Sequence, residues 1–210
     1  MSVKDFLKTT QPKERSHALG ELPIDIALNW ERETASAVSP RVVQDCEPLL
    51  RAIDQPNHWN RVNGGFTPYA FTEAETHGLS VYRENYSQLS EISTHANLRL
   101  IDKLGAASEG VKEKRRLVGF VCFPCCKVRG LTYPALGDGA ISERLVVVFD
   151  TAKQGSTADR AHADILVRAK EKILRKRARA DLFDLAKSGL RNLKNEPISC
   201  EAMAAVVAGL

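Results

Sequence analysis

Two short, unbroken apolar stretches constrain the fold of this chain more than any other feature, namely Leu117 to Phe123 and Leu145 to Phe149. Apolar residues at consecutive positions, without alternation, are typical of strands buried on both faces. We therefore expect both stretches to be central, buried strands of a sheet. A chain of 210 residues, 43% of them hydrophobic, is long enough to build a core around such a sheet.

The segments before these strands predict further strands and one helix. Phe66 to Phe71 and Gly78 to Tyr82 contain β-prone residues between turn signals, so each predicts a strand. From Ser87 to Leu104, apolar residues recur every three or four positions, which predicts an amphipathic helix that ends at Gly105. Together these patterns indicate an α+β fold with a small mixed or antiparallel sheet covered by helices.

Residues 157 to 193 predict one long helix with an unusual distribution of apolar side chains. These side chains point in one direction up to Ile173 and in roughly the opposite direction after it. One straight helix cannot bury both directions against one core. We therefore expect either a bend near Ile173 or a second half that packs on another surface: the last helix (199 to 210), the N-terminal arm or a second subunit.

Both ends of the chain are predicted to be helical extensions of the central domain. Prolines such as Pro12, Pro23 and Pro40 break the first residues into short helical pieces. The expected division is an N-terminal helical arm (1–48), an α+β central domain (49–173) and a C-terminal helical extension (174–210).

The C-terminal region carries the excess positive charge of a chain whose net charge is +4. Five basic residues fall on one side of a helical wheel: Arg168, Lys172, Arg175, Lys176 and Arg179. Such a basic helix is suited to a protein partner, including a second copy of the chain, or to a polyanion. Nucleic acid is a less favoured ligand because no aromatic residue interleaves the charges. A solvated helix face is the commoner explanation, and it stays open.

The five cysteines predict neither a disulfide framework nor a metal site. Their number is odd, and three of them crowd into Cys122 to Cys126. The Cys-Phe-Pro-Cys spacing is typical of redox motifs, but the residues after it are β-prone, so we expect no helix there to lower a thiol pKa. The histidines lack the spacing of zinc ligands. We expect buried, inert thiols, no metal and no cofactor.

Several classes of function are disfavoured by the motifs that the sequence does not contain. There is no P-loop, no G-x-S-x-G and no G-x-G-x-x-G. No apolar run approaches the roughly 20 residues that span a bilayer, and the first residues are charged where a signal peptide would be apolar. We expect a cytoplasmic protein without a membrane partner.

The stretch from Leu49 to Tyr86 is the richest in turn signals and reactive side chains, and it begins a pattern that continues later in the chain. The pattern consists of Leu49-Leu50-Arg51, Phe71, the strand Gly78-Leu79-Ser80-Val81-Tyr82-Arg83, His95 and Ala161-His162-Ala163. In these residues the chain resembles a family of uncharacterised bacterial proteins with no settled activity. The likeness covers about residues 49 to 168 and implies catalytic residues that share one cleft, namely Arg51, Ser80, His95 and His162.

Two hypotheses for function follow. The first is a bacterial accessory or interaction protein whose basic C-terminal helix binds a protein partner or a polyanion. The second rests on Arg51 and Ser80, which resemble the arginine and serine with which ADP-ribosyltransferase-like enzymes hold NAD. That resemblance implies an NAD-dependent enzyme, although the S-T-S pattern is absent and only Glu84 or Glu143 remains as its glutamate.

Overall fold

The structure is a computed structural model that describes residues 1–60, 64–103, 115–133 and 142–209. Its strands are β1 (Pro48–Gln55), β2 (Trp59–Asn60), β3 (Gly65–Phe66), β4 (Leu79–Arg83), β5 (Arg116–Pro124), β6 (Thr132–Tyr133), β7 (Glu143–Arg144), β8 (Val146–Asp150), β9 (His162–Val167) and β10 (Leu190–Arg191). Six of them form one antiparallel sheet in the order β10-β5-β1-β4-β9-β8. The pairs β2–β3 and β6–β7 form two small separate ladders.

The helices are α1 (Val3–Thr9), α2 (Arg15–Glu21), α3 (Ile24–Trp30), α4 (Leu89–Lys103), α5 (Cys125–Arg129), α6 (Thr157–Arg160), α7 (Lys172–Lys187) and α8 (Cys200–Ala208). A 3-10 segment (Pro68–Glu75) precedes β4. None of the helices in the described ranges is both long and apolar enough to cross a bilayer.

One face of the sheet, here called the front face, carries alternate residues such as Leu50, Tyr82 and Leu166. Over β8 and β9 it is covered by the N-terminal helices in a cluster of Val3, Phe6, Leu19, Ala27, Trp30, Val147, Phe149 and Leu166. Over β1 and β5 it is covered by α4 in a cluster that includes Ile92, Ala96, Leu50, Tyr82 and Phe120. Two helical groups therefore lie side by side on this face.

The opposite, back face is covered by the 3-10 segment, α5, α7 and α8. Its cluster includes Leu49, Val81, Val121 and Ile165 from the sheet, with Ala178, Leu182, Ala186 and Met203 from α7 and α8. The predicted α+β fold with an antiparallel sheet and helices at both termini is confirmed. The division of the chain into three domains stays a prediction.

Several predicted elements are confirmed by their position and type. Leu117 to Phe123 lies within β5, Leu145 to Phe149 overlaps β8, and the helix predicted from Ser87 corresponds to α4. Both apolar strands are buried, but only β5 is central, because β8 forms an edge of the sheet. The predicted end of α4 at Leu104 and Gly105 lies outside the described residues.

The long helix predicted over 157–193 is wrong in its first half. After the single turn of α6, His162–Val167 forms β9, which pairs with β4 on one side and with β8 on the other. Five of its six residues are buried, as expected of an inner strand that is covered on both faces. The apolar residues here therefore do not form one face of a helix. The true helix, α7, begins at Lys172, close to the position where the apolar direction changes.

Two local predictions also need correction. Phe66 to Phe71 is not one strand, because β3 ends at Phe66 and the 3-10 segment begins at Pro68, which has no N–H for a ladder. A short helix does follow the Cys-Phe-Pro-Cys motif, since α5 begins directly after Pro124.

Candidate functional site

The sheet and the segments around it line a half-open cavity of about 590 Å³. Its floor on the front face is formed by four side chains from β4 and β9: Ser80, Tyr82, His162 and Asp164. Around them lie Arg15 from α2, Ala96, Arg99 and Leu100 from α4, and Lys153 from the β8–β9 connection. The far end is lined by residues of β1 and of the 3-10 segment, among them Arg51, Asp54 and Glu73.

The register of β4 and β9 explains why the four floor residues share one face. Ser80 is the partner of Asp164, and Tyr82 is the partner of His162. Directly opposed residues of an antiparallel pair project to the same side of the sheet, and so do residues two positions apart. The Oγ of Ser80 donates to Oδ1 of Asp164 at 3.4 Å.

The cavity reaches through to the other end because β1 and β4 separate early. Their ladder consists of Leu49 with Arg83 and Leu50 with Tyr82. Beyond it, the guanidinium of Arg51 occupies the space between the strands and donates to the carbonyl oxygens of Ser80 at 3.1 Å and Ala70 at 3.2 Å. A side chain thus replaces part of the backbone ladder.

His162 is the most deeply buried polar group on the cavity floor, with 1% of its surface exposed. Its Nδ1 lies 2.8 Å from Oγ1 of Thr151. Its Nε2 has no hydrogen-bond partner among the described residues, and Oδ1 of Asp164 is 3.8 Å away. Burial lowers the pKa of His162 to about 4, so the ring is neutral at physiological pH. One nitrogen of this buried, neutral imidazole is thus left without a hydrogen-bond partner in the described part of the chain.

Tyr82 begins a chain of hydrogen bonds that leaves the cavity through α4. Its Oη lies 3.1 Å from Nδ1 of His95, and Nε2 of His95 lies 2.7 Å from Oδ1 of Asp159. Burial raises the pKa of the Tyr82 phenol, and the Arg99 cation opposes that effect. Burial also lowers the pKa of His95, against the attraction of Asp159. A neutral His95 can therefore accept from the phenol and donate to the carboxylate.

Asp159 is held in place by the start of α6. Its Oδ2 accepts from the backbone N–H of Ser156 at 3.2 Å and from the Ser156 hydroxyl at 3.0 Å, in a capping box. The other oxygen, Oδ1, is the one that faces His95. The same carboxylate therefore caps a helix and orients an imidazole.

Three cations, Arg15, Arg99 and Lys153, line the front end of the cavity. Desolvation and the nearby Arg99 cation lower the pKa of Lys153, while Asp164 and Asp159 raise it. Arg15 donates to the carbonyl oxygen of Leu7 at 2.6 Å, and its buried Nε has no partner in the described ranges. Positive potential is concentrated at this end.

The charges at the far end are paired within the protein. Arg51 contacts Glu73 at 2.9 Å, and Arg115 contacts Asp54 at 2.6 Å. Burial alone would raise the pKa of Asp54, but the contacts with His58 and Arg115 outweigh it and lower that pKa. The front end is therefore the part of the cavity with charge to offer to an anion.

The four residues expected to share a cleft are found close to it. Arg51, Ser80 and His162 line the cavity, and His95 contacts it through Tyr82. Their catalytic role stays a prediction. Sequence reasoning missed Tyr82, Arg99, Lys153, Asp159 and Asp164. Asp159 and Asp164 were missed because a helix was predicted over 157–193. Asp164 lies beside Ser80 through the β4–β9 pairing, which that helix does not allow.

The five residues of the predicted basic stripe differ in their surroundings. Arg168 lies before α7 and is buried against Glu143 at 2.9 Å, and Arg179 contacts Glu75 at 2.7 Å. Arg175 donates to the carbonyl oxygens of Ala169 and Lys170. Lys172 and Lys176 are exposed. Three of the five guanidinium or ammonium groups thus hold the fold together, and their role in partner binding stays a prediction.

The buried thiols of the cysteine cluster lack the lowered pKa that is typical of a redox site. Cys125 is the first residue of α5, but burial raises its pKa to about 12, so the thiol is protonated. Burial also raises the pKa of Cys122, whereas Cys126 is exposed. Within the described ranges, no three histidine, cysteine, aspartate or glutamate residues are grouped as a metal site would require.

No family model, no curated protein and no solved structure matches the chain.

Proposed function

We propose that the front end of the cavity binds a small molecule with an anionic group. The observation that carries this proposal is the buried, neutral imidazole of His162, whose Nε2 has no partner in the described part of the chain and which lines the cavity. Buried polar groups are nearly always hydrogen-bonded, so an unused one in a cavity indicates a place for a ligand atom.

The charges decide which class of ligand is favoured. Arg15, Arg99 and Lys153 are arranged around one end, and Asp164 is the only carboxylate on the adjoining floor among the described residues. A charge-assisted hydrogen bond contributes about 1.5–3 kcal/mol, more than a neutral one. A cavity of about 590 Å³ is of the size that holds small metabolites. A carboxylate or phosphate at the cations would leave the rest of the molecule over Tyr82 and His162.

Isothermal titration with inorganic phosphate and with succinate tests this proposal and separates the two anion chemistries. We expect the wild-type protein to bind one of them with 1:1 stoichiometry. The double variant Arg99→Gln/Lys153→Gln is expected to bind at least about tenfold more weakly, since a tenfold change corresponds to about 1.4 kcal/mol. The matched control, Lys172→Gln/Lys176→Gln, removes the same charge from the exposed surface of α7 and should leave binding unchanged.

Two results would overturn the proposal. One is the absence of binding of either anion to the wild-type protein. The other is wild-type affinity in the Arg99→Gln/Lys153→Gln variant. The variant His162→Phe keeps the ring shape without a nitrogen, and it should also weaken binding if Nε2 contacts the ligand.

A second candidate function is the binding of an acidic surface by the first turns of α7. One observation favours it: Ile173 is 75% exposed and lies between the exposed Lys172 and Lys176 in the sequence. A large apolar side chain beside cations is typical of contact sites. Arg168, Arg175 and Arg179 are poor choices for testing this function, because their contacts stabilise the fold.

Retention on a heparin column tests this second candidate. Lys172→Glu/Lys176→Glu should elute at clearly lower salt than the wild-type protein. Lys4→Glu/Lys8→Glu makes the same charge change on the exposed side of α1 and serves as control. Equal elution of the two double variants would mean that net charge alone governs retention, which would remove this candidate.

The geometry supports an ADP-ribosyltransferase-like activity less well. Strand alternation puts Arg51 on the back face with Leu49 and Val81, whereas Ser80 belongs to the front face with Tyr82. Three donor atoms of Arg51 already serve Ala70, Ser80 and Glu73. An NAD phosphate would have to compete with these contacts.

A further inference from the structure

We propose that Tyr82 is the proton-accepting group of the cavity, with His95 taking the phenol proton and Asp159 holding the imidazole in place. This inference rests on the proposed function, because it assigns chemistry to the ligand that the cations bind. It concerns Tyr82 as the residue that contacts the ligand, and His95 and Asp159 as positioning residues.

The first support is the order of the three groups. A hydroxyl, an imidazole and a carboxylate are joined by contacts of 3.1 Å and 2.7 Å, one at each nitrogen of the ring. In this order the carboxylate fixes the ring and favours the imidazolium that forms when the hydroxyl loses its proton. The hydroxyl end of the chain lies at the cavity, and Tyr82 lines it.

The second support is the way in which each member is fixed. Tyr82 lies in β4, paired with His162 in β9, and its ring is nearly perpendicular to both imidazoles at centroid distances of 5.8 Å to His95 and 6.3 Å to His162. Asp159 is fixed by the capping box of α6. Gly155 contributes to this arrangement: its φ is +152°, and a Cβ there would lie 2.5 Å from Oδ2 of Asp159.

The third support is the charge around the phenol. Burial is the largest influence and raises the pKa of the Tyr82 phenol, while the Arg99 and Arg51 cations act against burial. Asp159 acts in the same direction as burial, and His95 and His162 are the two imidazoles that face the ring. The two guanidinium groups therefore offset part of the cost that burial imposes on a phenolate at Tyr82.

The Tyr82 proton moves along its hydrogen bond to Nδ1 of His95, which becomes an imidazolium opposite Asp159. The phenolate oxygen takes a proton from a C–H bond of the ligand next to its anionic group, and the electron pair of that bond stays on the ligand. The cations Arg99 and Lys153, which hold the anionic group, also stabilise the new negative charge. No electron is lost or gained, and no further reactant is needed.

Labelling with phenylmethanesulfonyl fluoride tests whether Tyr82 is activated in this way. The phenolate oxygen attacks sulfur, the S–F bond breaks, fluoride leaves, and the phenol proton passes to His95. Tyr69, which is 60% exposed, is the internal control, since it is more accessible. We expect peptide mapping by mass spectrometry to show Tyr82 modified at least about tenfold faster than Tyr69 at pH 7.5.

The variants His95→Asn and Asp159→Asn identify the cause. We expect His95→Asn to slow Tyr82 labelling at least about tenfold and to leave Tyr69 unchanged, with a smaller effect of Asp159→Asn. Labelling of Tyr82 no faster than Tyr69, or at the wild-type rate in His95→Asn, would overturn the inference. If His95→Asn does not fold, the pH profile of wild-type labelling decides: a Tyr82 profile that coincides with that of Tyr69 overturns it as well.

Phosphate and succinate titrations of the same variants keep the two proposals apart. His95→Asn should retain anion binding, because its ring is not among the cations. Anion binding without Tyr82 labelling removes only this inference. Tyr82 labelling without anion binding removes the proposed function and leaves Tyr82 as a reactive phenol with no ligand assigned to it. That result also overturns the role of Tyr82 as the group that accepts a proton from the ligand.

Discussion

At the scale of single residues, His162 couples the chemistry of the cavity to the stability of the fold. Its ring is buried and neutral, with a pKa of about 4, while an imidazole in an unfolded chain has a pKa near 6.5. Protons therefore bind the unfolded chain more tightly. Stability contributed by the neutral ring is fully present above pH 6.5 and is lost as the pH falls towards 4.

We predict that the free energy of unfolding falls by about 3 kcal/mol between pH 7 and pH 4 through His162 alone. Urea denaturation at several pH values measures the total fall, to which His58 and His95 also contribute because burial lowers the pKa of each. The variant His162→Gln has no titrating ring, so its fall should be smaller by that amount. Parallel curves for the wild-type protein and the variant would contradict the prediction.

A second residue-scale prediction concerns the buried ion pair of Arg83 and Glu47. Both side chains are fully buried, with Nε and Nη2 of Arg83 donating to the two carboxylate oxygens at 2.6 and 2.8 Å. Without Glu47, the buried Arg83 cation keeps the more distant Asp150 carboxylate at 3.7 Å but loses its two close hydrogen bonds, so Glu47→Gln should lower the free energy of unfolding by about 3–5 kcal/mol.

The control for this pair is Asp184→Asn, which breaks the exposed pair with Lys187 at 2.6 Å. Exposed pairs contribute under about 1 kcal/mol, so this variant should denature nearly as the wild-type protein does. Similar losses in the two variants would mean that burial does not set the strength of the Arg83 pair.

At the scale of elements, the edge strand β10 depends on glycine where it approaches β5. A Cβ on Gly189 would lie 1.8 Å from the carbonyl oxygen of Cys122, whose N–H donates to the Gly189 carbonyl at 2.7 Å. A backbone atom at that distance cannot yield as a side chain can. The close approach of these two backbone segments requires a residue without a side chain.

We therefore predict that Gly189→Ala separates β10 from β5 and lowers the free energy of unfolding by about 1–3 kcal/mol, the range of overpacking. Amide hydrogen exchange should show faster exchange at Cys122. Gly209→Ala places a Cβ 3.7 Å from its nearest neighbour, outside the sheet, and should have little effect. Retained protection of Cys122 in Gly189→Ala would contradict the proposed crowding.

The element scale also shows how far the sequence predicts this fold. Continuous apolar runs predicted β5 and β8 because burial on both faces leaves no alternation. His162–Val167 also fits the rule, but Ala161, Ile165 and Ala169 satisfy a helical spacing as well. Short apolar runs are ambiguous in this way, and the pairing with β4 and β8 decides the outcome.

The candidate site was predictable in part for a related reason. Arg51, Ser80 and His162 belong to the sequence pattern that predicted a shared cleft. Lys153 and Asp159 lie in the connection between β8 and β9, and their distance from Tyr82 depends on how that connection returns over the sheet. Tertiary contacts of this kind leave no local signal in the sequence.

At the scale of the whole molecule, the terminal helices complete the two cores instead of lying apart from them. Phe6 and Trp30 pack at a centroid distance of 5.1 Å above β8 and β9. Leu182 of α7 belongs to the core of the back face. Removal of either set would expose part of one side of the sheet.

We predict that the chain unfolds in one cooperative transition. Trp30 reports on the N-terminal helices and Trp59 on the back core. In each single-tryptophan variant, Trp59→Phe and Trp30→Phe, fluorescence and circular dichroism should give the same midpoint of unfolding. Phe6→Ala should lower the free energy of unfolding by about 3–5 kcal/mol in both. Separate midpoints would instead support an independent N-terminal arm.

The early parting of β1 and β4 has a mechanical consequence for the entire sheet. Those two strands are the middle pair of the sheet. They divide it into one half with β10, β5 and β1 and another half with β4, β9 and β8. Only the Leu49–Arg83 and Leu50–Tyr82 pairs connect β1 to β4 in the described ladder. A molecule bound in the cavity at that junction would contact both halves of the sheet. Ligand binding would then make the sheet more rigid, and the sheet without a ligand would bend between β1 and β4.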